Sequence, residues 1–222
     1  MQIRRIQYAK VPKIRMLNHR FRPDANHLIV TLDVEGYDPP TTNEFPVMYQ
    51  ALATLFPTLS RHSCCEQWEN TPLFLQSIEG VSIKSVGEAA DVAHLTEHVM
   101  VDLQCAISGM RLCSGITCGH RSPENRFDVF VECTDPRVGA FTAHLATFLV
   151  ARALELRWLS PRYRMLVTGA RLVTTHPTLE HDTRQLAQRM GVCQTTAQWV
   201  HSGLEAFGLI GRSDENDHTL RD

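Results

Sequence analysis

No run in the 222-residue chain approaches the ~20 uninterrupted apolar residues that a membrane helix needs. The N-terminus lacks the apolar core of a secretion signal. Low-complexity tracts and internal repeats are absent, and a composition 43% apolar and 21% charged excludes disorder, collagen and a coiled coil. The seven cysteines are an odd number without a disulfide-framework spacing, which suits a reducing cytosol. The expectation is a soluble, cytoplasmic globular protein: one ordinary domain plus a small appendage.

What charge there is lies unevenly. Residues 1–22 hold seven basic side chains (Arg4, Arg5, Lys10, Lys13, Arg15, Arg20, Arg22) and no acid, so the formal net charge of −2 hides a strongly acidic remainder. Such an arm can meet a polyanion. No aromatic platform accompanies it, however, and Ile3, Ile6 and Tyr8 among polar neighbours fit the solvated face of a first strand better.

Residues 27–34 (HLIVTLDV) read as a buried strand. Thr41 or Thr42 before Glu44 opens a helix, with Phe45, Met48, Leu52 and Leu55 at helical spacing until Pro57. A long helix is predicted from about Val86 to Ser108, with an apolar stripe of Val92, Leu95, Val99, Leu103 and Ala106. Residues 113–126 read as a loop and 127–133 (FDVFVEC) as a strand. A second long helix follows Asp135-Pro136 and runs to about Leu156.

His94-Leu95-Thr96-Glu97-His98 carries the sharpest chemistry. On a helix, side chains four apart share a face, so His94 and His98 can grip one ion with Glu97 beside it. This spacing is the HxxEH motif of the inverted zincins, in which two histidines bind Zn²⁺ and the glutamate serves as base. A catalytic zinc needs a third protein ligand, and Glu132 on the FDVFVEC strand is the first candidate. Asp128, His120 and His144 are alternative ligands or supporting residues. The plain alternative is a core helix whose two histidines and glutamate make ordinary hydrogen bonds. Cys113-x4-Cys118-Gly-His120 matches no common structural zinc pattern, and Cys64-Cys65 reads as a pair of half-buried thiols.

The order of these motifs resembles the N-terminal domain of cyanophycin synthetase. The resemblance runs over roughly residues 1–155: Leu32-Asp33-Val34-Glu35, Thr42-Asn43-Glu44-Phe45-Pro46, Leu55-Phe56-Pro57-Thr58-Leu59, Phe74-Leu75, Glu79-Gly80, His94 to Gln104, Phe127 to Glu132, and Arg137-Val138-Gly139. It implies a domain that holds a growing aspartate–arginine polymer and, in some members, a metallopeptidase-like site that clips it. Carried over, it makes His94 and His98 ligands, Glu97 the base and Glu132 the third ligand. The chain departs from the family pattern at Cys64-Cys65-Glu66-Gln67-Trp68 and in an insertion of about Val81 to Asp91. It has no GxxxxGK[ST] phosphate loop and no length for an ATP-grasp domain, so hydrolysis or binding is expected and synthesis is not.

Residues 178–222 follow the pattern of a helix–turn–helix or winged-helix module. Four basic residues there face seven acidic ones, and residues 194–207 hold no Lys or Arg, so the main source of affinity for nucleic acid is missing. Packing or pairing with a second copy suits the module better, with Trp199 as an anchor. The sequence thus predicts an α/β (or α+β) protein with a mixed sheet and long flanking helices in residues 1–160, a linker over 161–177 and the helical module in 178–222. The function expected is a zinc-dependent (or other divalent-ion) hydrolase of peptide or amide bonds, on cyanophycin-like or arginine-containing peptides. The alternatives are a non-catalytic peptide- or polymer-binding module and a ligand-sensing regulator that uses the helix–turn–helix.

Overall fold

A computed structural model of the chain describes residues 1–35, 44–59, 62, 89–156 and 158–211. The expected helix start at Thr41 or Thr42, the Cys64-Cys65 pair, Trp68, most of the insertion and residues 212–222 lie outside the described residues.

Four strands, β1 (Gln2–Ala9), β2 (His27–Asp33), β3 (Gly115–Gly119) and β4 (Arg126–Glu132), form one sheet in the order β1-β2-β4-β3. The class is α+β as expected, but the sheet is antiparallel and not mixed: every pairing among the described residues runs antiparallel. The β3–β4 connection, residues 120–125, is too short for the crossover of a dozen residues or more that parallel neighbours would need. The segment 113–126, expected as a loop, contains β3. Its GITCG sequence is short and has a glycine at each end, which hides the strand-favouring Ile116 and Thr117, and pairing with β4 completes the strand.

Strand alternation sends Leu28, Val30 and Leu32 of β2, and Phe127, Val129 and Val131 of β4, into one apolar core. Against that face lie α2 (Ala89–Ser108) and α3 (Pro136–Leu156), with α1 (Glu44–Leu55) on α3. The predicted stripe Val92, Leu95, Val99 and Leu103 is fully buried; it continues to Ile107, while Ala106 is exposed. Burying each such side chain contributes about 1.5–3 kcal/mol, which is why α2 holds its register. Gly109, at φ 70°, ends α2 in the left-handed conformation that a Cβ would strain. Asp135 Oδ1 accepts the Arg137 N–H at 2.8 Å and caps α3, with Pro136 in its first turn.

Residues 163–175, expected as linker, form helix α4 (Tyr163–Thr175). Its Leu166, Ala170 and Val173 join the same apolar cluster as the sheet, at the i, i+4, i+7 spacing of one helix face. α5 (Thr183–Met190) and α6 (Gln194–Ala206) follow. Asp182 caps α5 by accepting the Arg184 and Gln185 N–H groups, and Gly191 ends it at φ 66°. Ala197, Val200 and Leu204 turn α6 onto α4. Trp199 stands against Tyr163, with the Arg162 guanidinium 4.8 Å from its ring centre, so it does anchor packing. Among the described residues no helix is long and apolar enough to cross a membrane.

α4 and α6 meet through two glycines. A Cβ on Gly169 would run into Val200 Cγ1, and one on Gly203 into Leu166 Cδ2. Val200 is β-branched and fixed at χ1, whereas the tip of Leu166 can turn aside. Gly169→Ala is therefore expected to destabilise the protein by about 1–3 kcal/mol despite gaining about 1 kcal/mol of helix propensity. Gly203→Ala should cost less. Urea midpoints of the two variants check the order.

Candidate functional site

His94 and His98 lie on α2, away from its apolar stripe, yet both are buried, as is Glu97. The imidazole Nε2 atoms of the pair face each other at 3.0 Å. The other ring nitrogen of His98, Nδ1, is 2.8 Å from Nδ1 of His62, whose Nε2 is 2.8 Å from Asp102 Oδ1. Thr58 donates its hydroxyl to the same Asp102 oxygen at 2.7 Å. Asp102 sits one further turn along α2, so His94, His98 and Asp102 form a column at i, i+4 and i+8.

A carboxylate only accepts, which sets the direction of the chain. His62 donates from Nε2 to Asp102, its Nδ1 accepts from His98 Nδ1–H, and the Nε2 lone pair of His98 is left facing His94. Burial keeps both helix histidines neutral: it holds His94 down at about pH 4, and holds His98 well below its ordinary value with help from the neighbouring His94 and His62. Asp102 was legible as the third rung of the motif. Thr58 and His62 belong to a stretch without periodicity, and only the fold brings them in.

Glu97 faces β3 from the same helix. Thr117 donates its hydroxyl to Glu97 Oε2 at 2.7 Å, and Oε1 lies 2.5 Å from where a Cβ on Gly115 would stand. Gly115 is thus a close-approach glycine, required for the carboxylate to lie over the strand.

The remaining expected ligands are not brought to this pair. Glu132 follows Val131 on β4, and alternation turns it to the opposite face of the sheet. There it accepts the Arg22 backbone N–H at 2.7 Å and the Arg22 Nε–H at 3.3 Å. Asp128 shares that far face, accepting the Thr31 hydroxyl at 2.7 Å with His120 Nε2 at 3.0 Å. His144 lies on the exposed side of α3. The Cys113 thiol donates to the Glu132 carbonyl while His120 turns to Asp128, so the Cys113-x4-Cys118-Gly-His120 run is no cluster. Among the described residues no three His, Cys, Asp or Glu side chains are placed to hold a metal ion. Glu132, bonded to Arg22 on the far face, does not join the His94–His98 pair.

The far face has its own buried charge. Asp33 Oδ1 accepts from Arg126 Nε at 2.6 Å, and Oδ2 accepts from Arg126 Nη2 at 2.9 Å and from Arg4 Nε at 2.6 Å. These bonds, those of Arg126 foremost, hold the Asp33 carboxyl well below the usual carboxylate range. A lowered folded-state value stabilises above the unfolded value, near pH 4, and the effect fades as pH falls below it toward the folded value. Asp33→Asn is expected to cost about 1–3 kcal/mol at pH 7. The gap to the parent protein should narrow below pH 4, as urea unfolding at pH 7 and pH 3 would register.

A family model described as the cyanophycin synthase-like N-terminal domain matches residues 29–155. No curated protein matches the chain. The matched span covers more than half of the sequence and runs from β2 through α3, with the His94–His98–Asp102 column, Glu97 and β3 inside it; the protein belongs to the cyanophycin synthase-like N-terminal domain family.

Proposed function

We propose that the protein is a metal-dependent hydrolase of peptide or amide bonds. Arginine-containing or cyanophycin-like peptides are its substrate class, and Zn²⁺ or another divalent ion is its cofactor. The observation that carries this reading is the convergence of two neutral Nε2 atoms at 3.0 Å. Two nitrogens bound at ~2.0–2.1 Å to one tetrahedral ion stand about 3.3 Å apart, so a small opening of the pair admits the ion. His94 and His98 would hold it, and bound there it would lower the pKa of a water and polarise a carbonyl. Glu97 would take the proton released in the attack and return it to the leaving amine. Thr117, hydrogen-bonded to Glu97 Oε2, would keep the carboxylate oriented.

A specific observation favours a second reading. With Glu132 tied to Arg22 on the far face, the described residues offer two ligands and no third. A non-catalytic peptide- or polymer-binding module of the same fold needs no third. α4 to α6 then serve by packing, since α6 turns its apolar side to α4 and carries no Lys or Arg.

Elemental analysis of protein purified without chelator separates the two. The hydrolase reading expects one ion per chain, lost in His98→Ala. It also expects Glu97→Gln to keep the ion while peptide cleavage falls by about a hundredfold or more. Metal-free protein that still binds peptide establishes the binding module instead.

A further inference from the structure

The face of the sheet turned away from α2 carries a separate chemistry. We propose that it binds a small multivalent oxyanion, a phosphate- or carboxylate-bearing compound, through Arg4, Arg5 and Arg126. The proposal is independent of the histidine pair.

The site is built by an irregularity in β1. In a regular strand Arg4 and Arg5 would point to opposite faces. The pairing of β1 with β2 shifts between Ile3, opposite Leu32, and Arg5, opposite Thr31, so Arg4 is the extra residue of a bulge. Ile3 and Ile6 therefore both stay against the apolar core, and two consecutive arginines are left on the outer side. There they line a groove of about 460 Å³ together with Thr31, His120, Arg126 and Asp128. That volume lies within the range of small-molecule sites.

The lining itself is basic: three guanidiniums stand against the single carboxylate of Asp128. Asp33 is shared by Arg4 and Arg126, which spend one and two N–H groups on it and keep the rest of their five each. Among the described residues the Arg5 side chain makes no ion pair or hydrogen bond. Asp128 would repel an anion set against it, but it is engaged with the Thr31 hydroxyl and stands beside His120. Asp33 beneath and Glu35 near Arg126 offset part of that charge, and guanidinium forks suit the oxygens of a carboxylate or phosphate. A side chain with no internal task, beside two held in place by a buried carboxylate, points to a bound anion as the missing partner.

The test is titration calorimetry of the full chain at low salt with pyrophosphate and, separately, citrate. One-to-one binding is expected for at least one of them. The tighter partner assigns the source: pyrophosphate for a phosphorylated compound, citrate for a polycarboxylate. Arg5→Ala should weaken binding about tenfold or more, and Arg5→Lys should fall between, since it keeps the charge and loses the fork. Arg137→Ala, on α3 and paired with Glu180, should bind like the parent. The Arg5 side chain is exposed and unpaired among the described residues, so its variants should melt at the parent temperature. Failure of both anions to bind, or parent-like binding by Arg5→Ala, overturns the proposal. So does Arg5-dependent binding of a 20-base-pair DNA duplex when neither small anion binds, since that makes the surface a nucleic-acid contact.

Discussion

The two-residue period of a β-strand governs which chemistry can meet which in this molecule. In β2 and β4 one parity is apolar and lies beneath the helices; the other lies on the far side and is polar apart from the paired Ile29 and Phe130. Leu28, Val30, Leu32, Phe127, Val129 and Val131 are committed to the core. Asp33, Asp128 and Glu132 are thereby committed to the opposite face, and no side-chain rotation carries them through a close-packed layer. The histidine pair on α2 and the carboxylates of β4 are thus separated by the sheet itself. Shifting the register by one residue to unite them would turn the whole hydrophobic set of the strand outward.

On the helix side, the polar column of α2 has to satisfy itself in a dry place. A buried polar group without a partner costs about 1–3 kcal/mol, and more if charged. Three imidazoles, one carboxylate and a threonine hydroxyl meet most of that demand by bonding in series, from Thr58 and Asp102 through His62 and His98 to His94, while Asp102 Oδ2 is left without a hydrogen bond among the described residues. The series has a direction because its end is a carboxylate. A change at Asp102 would therefore reach His98 by way of a ring on another segment, two hydrogen bonds away. A helix column of this kind is more than a motif of five residues, since its orientation is set from outside the motif.

Much of this was readable from the chain, and the failures have physical causes. The long helices α2 and α3 announced themselves through stripes and caps, and their ends at Ser108 and Leu156 agree with the structure. The spacing of Ile3, Ile6 and Tyr8 is three and then two, which is the imprint of the β1 bulge in the sequence. β3 was illegible because it is short and has a glycine at each end. Leu166, Ala170 and Val173 mark a helix face in α4, but the preceding Ser160-Pro161 reads as a break and hides it in the sequence. The parity of β4 was the informative clue at Glu132: with Phe127, Val129 and Val131 inward, residue 132 faces outward. Sequence separation from His98 says nothing about side. His62 could not have been found, since no periodicity ties it to α2.

The same parity rule explains why the arginines of the far face are suited to recognition and are not merely solvated charge. An exposed arginine samples many rotamers, and fixing one costs up to about 2 kcal/mol. Asp33 removes part of that cost in advance for two of the three. It is buried at the strand end, it is fully ionised at neutral pH, and it holds Arg126 by two bonds and Arg4 by one. A guanidinium anchored through Nε on one edge presents its outer N–H groups in a fixed direction, which is the condition for binding an oxyanion without first ordering the site. Arg5 has no such anchor and remains free to close on what the other two present. The bulge and the buried carboxylate thus act together: one brings the charges to a common face, and the other holds them still.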